Sequence, residues 1–472
     1  MEFQAILLCG KGKALTPFSQ ARSSGAPKAL LPIANRPMIE YVLEWCEKAF
    51  FPKVTIVTDS ESKDAIDKAL TAYKEKAKAL KAKNAEESTD DDPEYVTNIS
   101  TFEIDSENSG EILYALHKNA VLKPNAHFVL LPCDLITNLP PQVLIEAYRN
   151  KEDSDIGLLV HYRNQLDIED KKSKIFPKNY TVYAELADGK NDLLDFYSTE
   201  DIDFHQALQI RTQMCWRYPK ATISTKLLNS SIFFGSQEIF KVFEENPEKF
   251  NESYFQHRSI TKVIRDLARR SWRHVECKET IGFLIIPHQA TFFRANNIPV
   301  LMEANRHFMK LQAITKAQQG AQAKDKLAAN VGIDSLIGEN TTLGEKTNVK
   351  RTVVGKNCTI GKRVKLTGSL VLDNVTIEDD AQLENCIIGH GVVLRSKVKL
   401  TNCNVESTHE VAKGTQAKNE TLLCFTLEGL VEGDNSVIDD SSETDSDDDS
   451  DSEYDDEAYD EYGDNEDGLF AY

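Results

Sequence analysis

Positions 3–8, FQAILL, are apolar except for Gln4 and precede Cys9 and Gly10, and a second run, VTIVT, fills positions 54–58. Short, predominantly apolar runs of this kind predict strands buried on both faces, as in a parallel sheet. Between them, MIEYVLEWCEKA sets Ile39, Val42, Leu43 and Cys46 along one helical stripe, so strand, loop, helix and strand form a βαβ unit. Residues 61–84, rich in Lys and Ala, favour another helix, which runs into the polar NAEESTDDDPE, an expected exposed loop. AHFVLLPCDLI, residues 126–136, predicts a further buried strand that delivers Asp134 at its carboxyl end, where open α/β sheets hold ligands. DIGLLVHY, YTVYAEL and NSSIFFGSQEIFKVF continue the alternation of strands and helices. Residues 1–315 thus read as one doubly wound α/β domain.

After a Gln-, Ala- and Lys-rich linker at 316–328 the rhythm changes. Val331, Ile337, Leu343 and Val349 stand six apart, and the first three are each followed by glycine. The phase then slips by one residue to Val354, Ile360 and Leu366, again to Val371, Ile377 and Leu383, and again to Ile388, Leu394 and Leu400. Three aliphatic positions followed by a shorter step describe a coil with three short sides. Hexapeptide periodicity of this length predicts a left-handed parallel β-helix over 329–425, with these aliphatics as its interior ladder. Such a solenoid leaves long edges, which favours assembly with another chain. Residues 426–472 are expected to form a disordered acidic tail, since 434–467 carry almost no apolar content.

Composition sharpens this division. The formal charge is −20, but residues 419–472 hold 21 Asp and Glu and no Lys or Arg, which leaves the first 418 residues at +1. A neutral body argues against nucleic-acid binding as the main business of the chain. The nine cysteines contain no CxxC pair and fit reduced thiols better than zinc ligands or disulfides. No metal and no cofactor is expected. No apolar run reaches the roughly 18 residues of a membrane helix, and MEFQAILL lacks the basic start of a signal peptide, so a cytosolic protein is expected. In the tail, Ser442, Thr444, Ser446, Ser450 and Ser452 precede acidic residues, the setting an acid-directed kinase uses. The terminal GLFAY is either an apolar docking hook or a loose end. In residues 259–278, Ile260, Val263, Ile264 and Leu267 line one helical face, with Arg265, Arg269, Arg270 and Arg273 around the rest. That segment is either a packed surface helix or a site for nucleic acid or an acidic partner.

The candidate chemistry lies in LLCGKGKALTPF and PKALLP. A glycine-spaced turn after a strand, PKALLP, NRPMIEYVLEW, an aspartate ending a strand and a hexapeptide β-helix together resemble the sugar-nucleotide pyrophosphorylases. The resemblance covers nearly all of residues 1–425. It implies a fold in which a sugar phosphate attacks a nucleoside triphosphate, helped by backbone N–H groups, cations and a metal held by two aspartates. The family loop reads Gly-Gly-x-Gly-Thr-Arg-Leu, where this chain has Cys9, Gly10, Lys11, Gly12, Lys13, Ala14 and Leu15. The glycines can form the turn, but Ala14 replaces the phosphate-clamping arginine and Lys13 replaces the hydroxyl. Loss of such an arginine costs on the order of 10³ or more in rate. The resemblance assigns Lys28 to a phosphate contact and Asp134 to one metal ligand. Ala295, in FFRANNIPVLMEAN, falls where the second metal aspartate belongs. Catalysis is therefore expected to be lost at Lys13, Ala14 and Ala295. Gly10, Gly12, Lys28 and Asp134 remain as a possible vestigial nucleotide site. Asp134 could equally be a structural strand-end carboxylate, and Lys28 could bind loop carbonyls.

A degraded pyrophosphorylase domain, a β-helix and an acidic Ser/Asp/Glu/Tyr run resemble, more narrowly, the gamma-type subunits of eukaryotic translation initiation factor 2B in their fungal form. PKALLPIANRPMIEYVLEWCEKA, LPCDLITNLPPQVL and STKLLNSSIFF carry that likeness. It implies a non-catalytic subunit of a guanine nucleotide exchange complex. The implied partners are a catalytic epsilon-like subunit, as a heterodimer within a larger assembly, and initiation factor 2, with neither membrane nor nucleic acid. Two other classes stay open. One is an active sugar-nucleotide pyrophosphorylase, of the mannose-1-phosphate guanylyltransferase kind. The other is a pseudoenzyme that senses a nucleotide or sugar nucleotide.

Overall fold

The computed structural model describes residues 2–85, 97–106, 108–123, 126–166, 179–186, 188–199, 202–203, 206–208, 210–274, 278–318 and 330–424. The acidic tail with its five candidate phosphorylation residues and GLFAY, most of NAEESTDDDPE and most of the linker lie outside the described residues. Strand Phe3–Leu8 pairs in parallel with Lys53–Thr58 on one side and His127–Pro132 on the other, and Lys53–Thr58 pairs with Asn98–Glu103. Helix Met38–Lys48 connects the first two, burying Ile39, Val42, Leu43 and Cys46 as its apolar stripe requires. The Lys- and Ala-rich segment is the helix Ser60–Ala85.

The other half of the sheet departs from the parallel pattern. Leu227–Gly235 runs antiparallel to both His127–Pro132 and Asp155–Arg163, and Thr280–Ile285 runs parallel to Asp155–Arg163. Asn191–Tyr197, Tyr180–Glu185 and Ala221–Ser224 complete the sheet as antiparallel neighbours. The result is one mixed sheet of ten strands with the parallel unit at one end. Two apolar clusters cover its faces. Ala5, Leu7, Val129 and Leu131 belong to one, and Ile6, Phe128 and Leu130 to the other, following the alternation of side chains along each strand.

Helix Ile298–Gln318 leads to the β-helix, whose short strands run from Asn330–Val331 to Thr421–Leu422. They stack as three parallel sheets of six, six and five strands. The register repeats every 17 residues: Leu366 stands beside Leu383, and Leu383 beside Leu400. Val354, Ile360, Leu366, Val371, Ile377, Leu383, Ile388, Leu394 and Leu400 are all at most 2% exposed and form one cluster. The turns between the sides use left-handed residues. Asn340, Asn357 and Asn374 stack with φ of 57°, 53° and 60°, each amide donating to the next at 3.4 Å. Asparagine tolerates this conformation better than most residues.

One side of the β-helix is apolar on both surfaces. In Val353–Val354, Leu370–Val371 and Ile387–Ile388 the second residue faces the coil interior. The first, at Val353, Leu370 and Ile387, is buried in the same cluster as Leu31, Ile33 and Met309 of the α/β domain. The two domains therefore share one continuous apolar core. Asn35, at φ 62°, adds a bond from Nδ2 to the Val354 carbonyl at 2.8 Å.

Candidate functional site

The loop after strand Phe3–Leu8 is closed by its own backbone. The Leu15 N–H donates to the Gly12 carbonyl at 3.0 Å, and Ser19 Oγ donates to the same oxygen at 2.6 Å. Gly12 has φ +73°, and a Cβ there would stand 3.0 Å from Lys28 Cβ, so glycine both makes the turn and lets the Lys28 stem pass. Gly25 is as constrained, since a Cβ would lie 1.8 Å from the Ser19 carbonyl oxygen. Gly10 faces open space, Lys11 and Lys13 are exposed, and Ala14 is half-buried. Gln20 ties the loop to the second strand, donating from Nε2 to Asp59 Oδ2 at 2.5 Å.

At the carboxyl end of strand His127–Pro132, Asp134 is completely buried and holds two cations. Lys28 Nζ is 2.7 Å from its Oδ2. Arg294 forks across both oxygens, Nε to Oδ1 at 2.9 Å and Nη2 to Oδ2 at 3.1 Å, while its Nη1 donates to Ser231 Oγ at 2.7 Å. Burial alone would raise the Asp134 carboxyl, but Arg294 and then Lys28 outweigh it and hold it well below the ordinary carboxylate range. Ala295 is fully buried beside this group, its N–H donating to the Asp134 carbonyl at 3.0 Å. The pairing of Phe292–Arg294 with Leu135–Thr137 brings the two segments together. Gly12, Lys28, Asp134 and Ala295 thus converge at one place. What fills the space beside Asp134 is a guanidinium where a metal ion would need a second carboxylate. Among the described residues no group of three or more His, Cys, Asp and Glu side chains could hold a metal ion.

Arg294 was not among the residues singled out from sequence. It sits immediately before Ala295, so an arginine next to a missing acidic residue was the available signal. The β-helix also reaches the loop. Glu406, completely buried, accepts from Arg22 Nε at 2.7 Å, from Ser24 Oγ at 2.6 Å and, through its other oxygen, from the Cys424 N–H at 2.5 Å.

The arginine-rich helix Ile260–Arg273 turns most of its charge inward. Arg265 and Arg270 are 5% and 6% exposed. Asp266 takes Arg258, Arg265 and the Tyr254 hydroxyl, Arg269 pairs with Asp195 at 3.0 Å, and Arg270 pairs with Glu279 at 3.1 Å. Its apolar stripe, Ile260, Val263, Ile264 and Leu267, packs in the second sheet cluster. These arginines serve the interior.

Comparison with known proteins follows this division of the chain. The nucleotidyl transferase family matches residues 4–167, and the LbH domain of EIF2B subunit epsilon matches residues 317–418. Translation initiation factor eIF2B subunit gamma of Schizosaccharomyces pombe is 28% identical over 369 residues, covering 74% of each chain. Over most of its length the chain is thus similar to an eIF2B gamma subunit, with a nucleotidyl transferase match in its first part and an eIF2B LbH match in its second. A bifunctional sugar-1-phosphate nucleotidylyltransferase/acetyltransferase of Sulfurisphaera tokodaii is 35% identical over 65 residues, 14% of this chain and 15% of that protein. Among solved structures, a putative glucose-1-phosphate thymidylyltransferase from Bacillus anthracis aligns with 64% of this chain and 94% of its own, at TM-score 0.42 and 13% identity.

Proposed function

We propose that the chain is a non-catalytic subunit of the translation initiation factor 2B guanine nucleotide exchange complex. In this role it pairs with the catalytic epsilon-type subunit and promotes GDP/GTP exchange on initiation factor 2 in the cytosol. The observation that carries this is a likeness to one gamma subunit that spans 74% of both chains. The absence of nucleotidyl transfer rests on the site itself. Ala14 offers no cation to a moving phosphate, and Asp134, tied up by Lys28 and Arg294, has no free face for magnesium. The β-helix and the α/β domain share one core, so they present a rigid two-domain surface to a partner of the same build. No helix of the described residues is long and apolar enough to cross a membrane.

Co-expression with an epsilon-type subunit tests the assignment. A stable heteromer is expected, and GDP release from initiation factor 2 should be faster with the pair than with the epsilon-type chain alone. Failure of both would overturn the proposal. The same preparation, given magnesium, nucleoside triphosphates and hexose phosphates, should release no pyrophosphate above background. Turnover near the roughly 1 s⁻¹ at the lower end of typical enzymes would instead make it an active pyrophosphorylase.

A further inference from the structure

Beside the Lys28, Asp134 and Arg294 cluster lie two thiols that neither the fold nor the proposed role uses. Leu8 is the Cα partner of Pro132 in the parallel pair of strands, and the Cys133 N–H continues the ladder by donating to the Leu8 carbonyl at 3.2 Å. The next residues in register are Cys9 and Cys133. Their side chains leave the sheet on the same side: Ala5, Leu7 and Cys9 pack with Val129, Leu131 and Cys133 in one cluster. Ile6, Phe128 and Leu130 lie in the other. Neighbouring strands run about 4.8 Å apart, and a disulfide accepts Cα separations of roughly 4.4–6.8 Å, so the backbones already stand at bridging distance. Both cysteines are free thiols.

We propose that Cys9 and Cys133 form a reversible disulfide, a modification site in the floor of the remnant pocket whose co-reactant is a hydroperoxide. Access decides which sulfur meets the oxidant. Cys133 is 1% exposed, whereas Cys9 is half-buried at the mouth of the loop, next to the exposed Gly10. The Cys9 sulfur attacks one peroxide oxygen, the O–O bond breaks, and water leaves, giving a sulfenic acid at Cys9. The Cys133 sulfur then attacks the Cys9 sulfur, the S–OH bond breaks, and the departing hydroxide takes the Cys133 proton as water. Two thiols are oxidised by two electrons in all, and hydrogen peroxide is reduced to two waters. The new bond clamps the first residue of the loop to the strand that delivers Asp134.

A second pair in the chain separates geometry from access. Cys386 and Cys403 stack on successive coils, the Cys403 N–H donating to Cys386 Sγ at 3.4 Å, but both are 0% exposed inside the β-helix. They have the spacing without the opening.

The test uses the full reduced chain, hydrogen peroxide as the probe and peptide mapping without reductant. The expected product is a peptide joining Cys9 to Cys133, with equal loss of iodoacetamide labelling at both and full recovery in dithiothreitol. In Cys133→Ser, Cys9 should instead be captured by dimedone as its sulfenic acid, and Cys9→Ser should yield no linked peptide. Absence of the joined peptide from the unsubstituted chain overturns the proposal, whatever the variants do. Oxidation confined to the exposed Cys215, or a bond between Cys386 and Cys403 at the same dose, overturns it equally. None of these outcomes depends on the translational role.

Discussion

Asp134 and Asp192 are both buried carboxylates, and their surroundings push them in opposite directions. Asp134 is held low by Arg294 and Lys28 against its own burial. A depressed carboxylate stabilises the fold above the unfolded value of about 4, and that contribution is lost as pH falls through the folded value. Asp134→Asn removes the shared anion from two buried cations and should cost about 3–5 kcal/mol in denaturant unfolding, with a smaller loss of stability on acidification than the parent shows. Asp192 is raised to about 7 by burial first and then by Asp155, Glu152 and Asp188, with Lys190 opposing. Its sign is reversed. The folded state binds the proton more tightly, so the contribution is complete below about pH 4 and is lost as pH rises through about 7. Asp192→Asn should therefore flatten the stability profile between about pH 4 and 7, and make the protein more stable than the parent at pH 8, on the order of 1–3 kcal/mol. An unchanged profile would show that Asp192 does not titrate in this window. Ala14, Ala295, Lys28 and Asp134 were legible because they occupy motif positions. The meeting of Lys28 with Asp134 was not, because it joins residues from separate segments, and Arg294 has no motif to mark it.

Elements were legible where side-chain period alone decides them. The hexad ladder pointed to the coil, and the shorter third step matches the 17-residue register seen from Leu366 to Leu400. Strand direction was less accessible. Asp155–Arg163 and Leu227–Gly235 are apolar runs like the parallel strands, and nothing in such a run says which way its neighbour points. The domain-facing side of the β-helix did leave a trace, in the doubled aliphatics at 353–354, 370–371 and 387–388. Strands with one partner surface alternate, as in Thr376–Ile377, whereas strands with two do not. Within the ladder, Ile377 stacks between Ile360 and Leu394 and is 1% exposed. Ile377→Ala should cost about 2–5 kcal/mol, and Ile377→Asp should unfold the coil by burying an unpaired carboxylate. Limited proteolysis would read this as new cleavage within residues 330–424, and resistance equal to the parent's would contradict the ladder's role.

At the scale of the molecule, the loop of a nucleotidyltransferase-like domain is fastened to the β-helix that follows it. Two kinds of contact do this. Val353, Leu370 and Ile387 bury apolar surface, worth about 1.5–3 kcal/mol for each side chain, without specifying register. Glu406 supplies direction, because Arg22, Ser24 and the Cys424 N–H can satisfy one carboxylate only in one docking pose. Glu406→Ala should consequently leave the coil folded, since the residue contributes no ladder side chain, yet weaken the docking by about 3–5 kcal/mol. Hydrogen exchange should rise in residues 18–26 and at the Cys424 amide while the amides of Val371, Ile388 and Val405 keep their protection. Leu370→Asp, striking the apolar part of the same contact, should loosen those segments together and split a single thermal transition into two. If exchange in residues 18–26 is unmoved by either change, the loop is held by its own hydrogen bonds to Gly12 and Asp59, and the β-helix is a neighbour rather than a clamp.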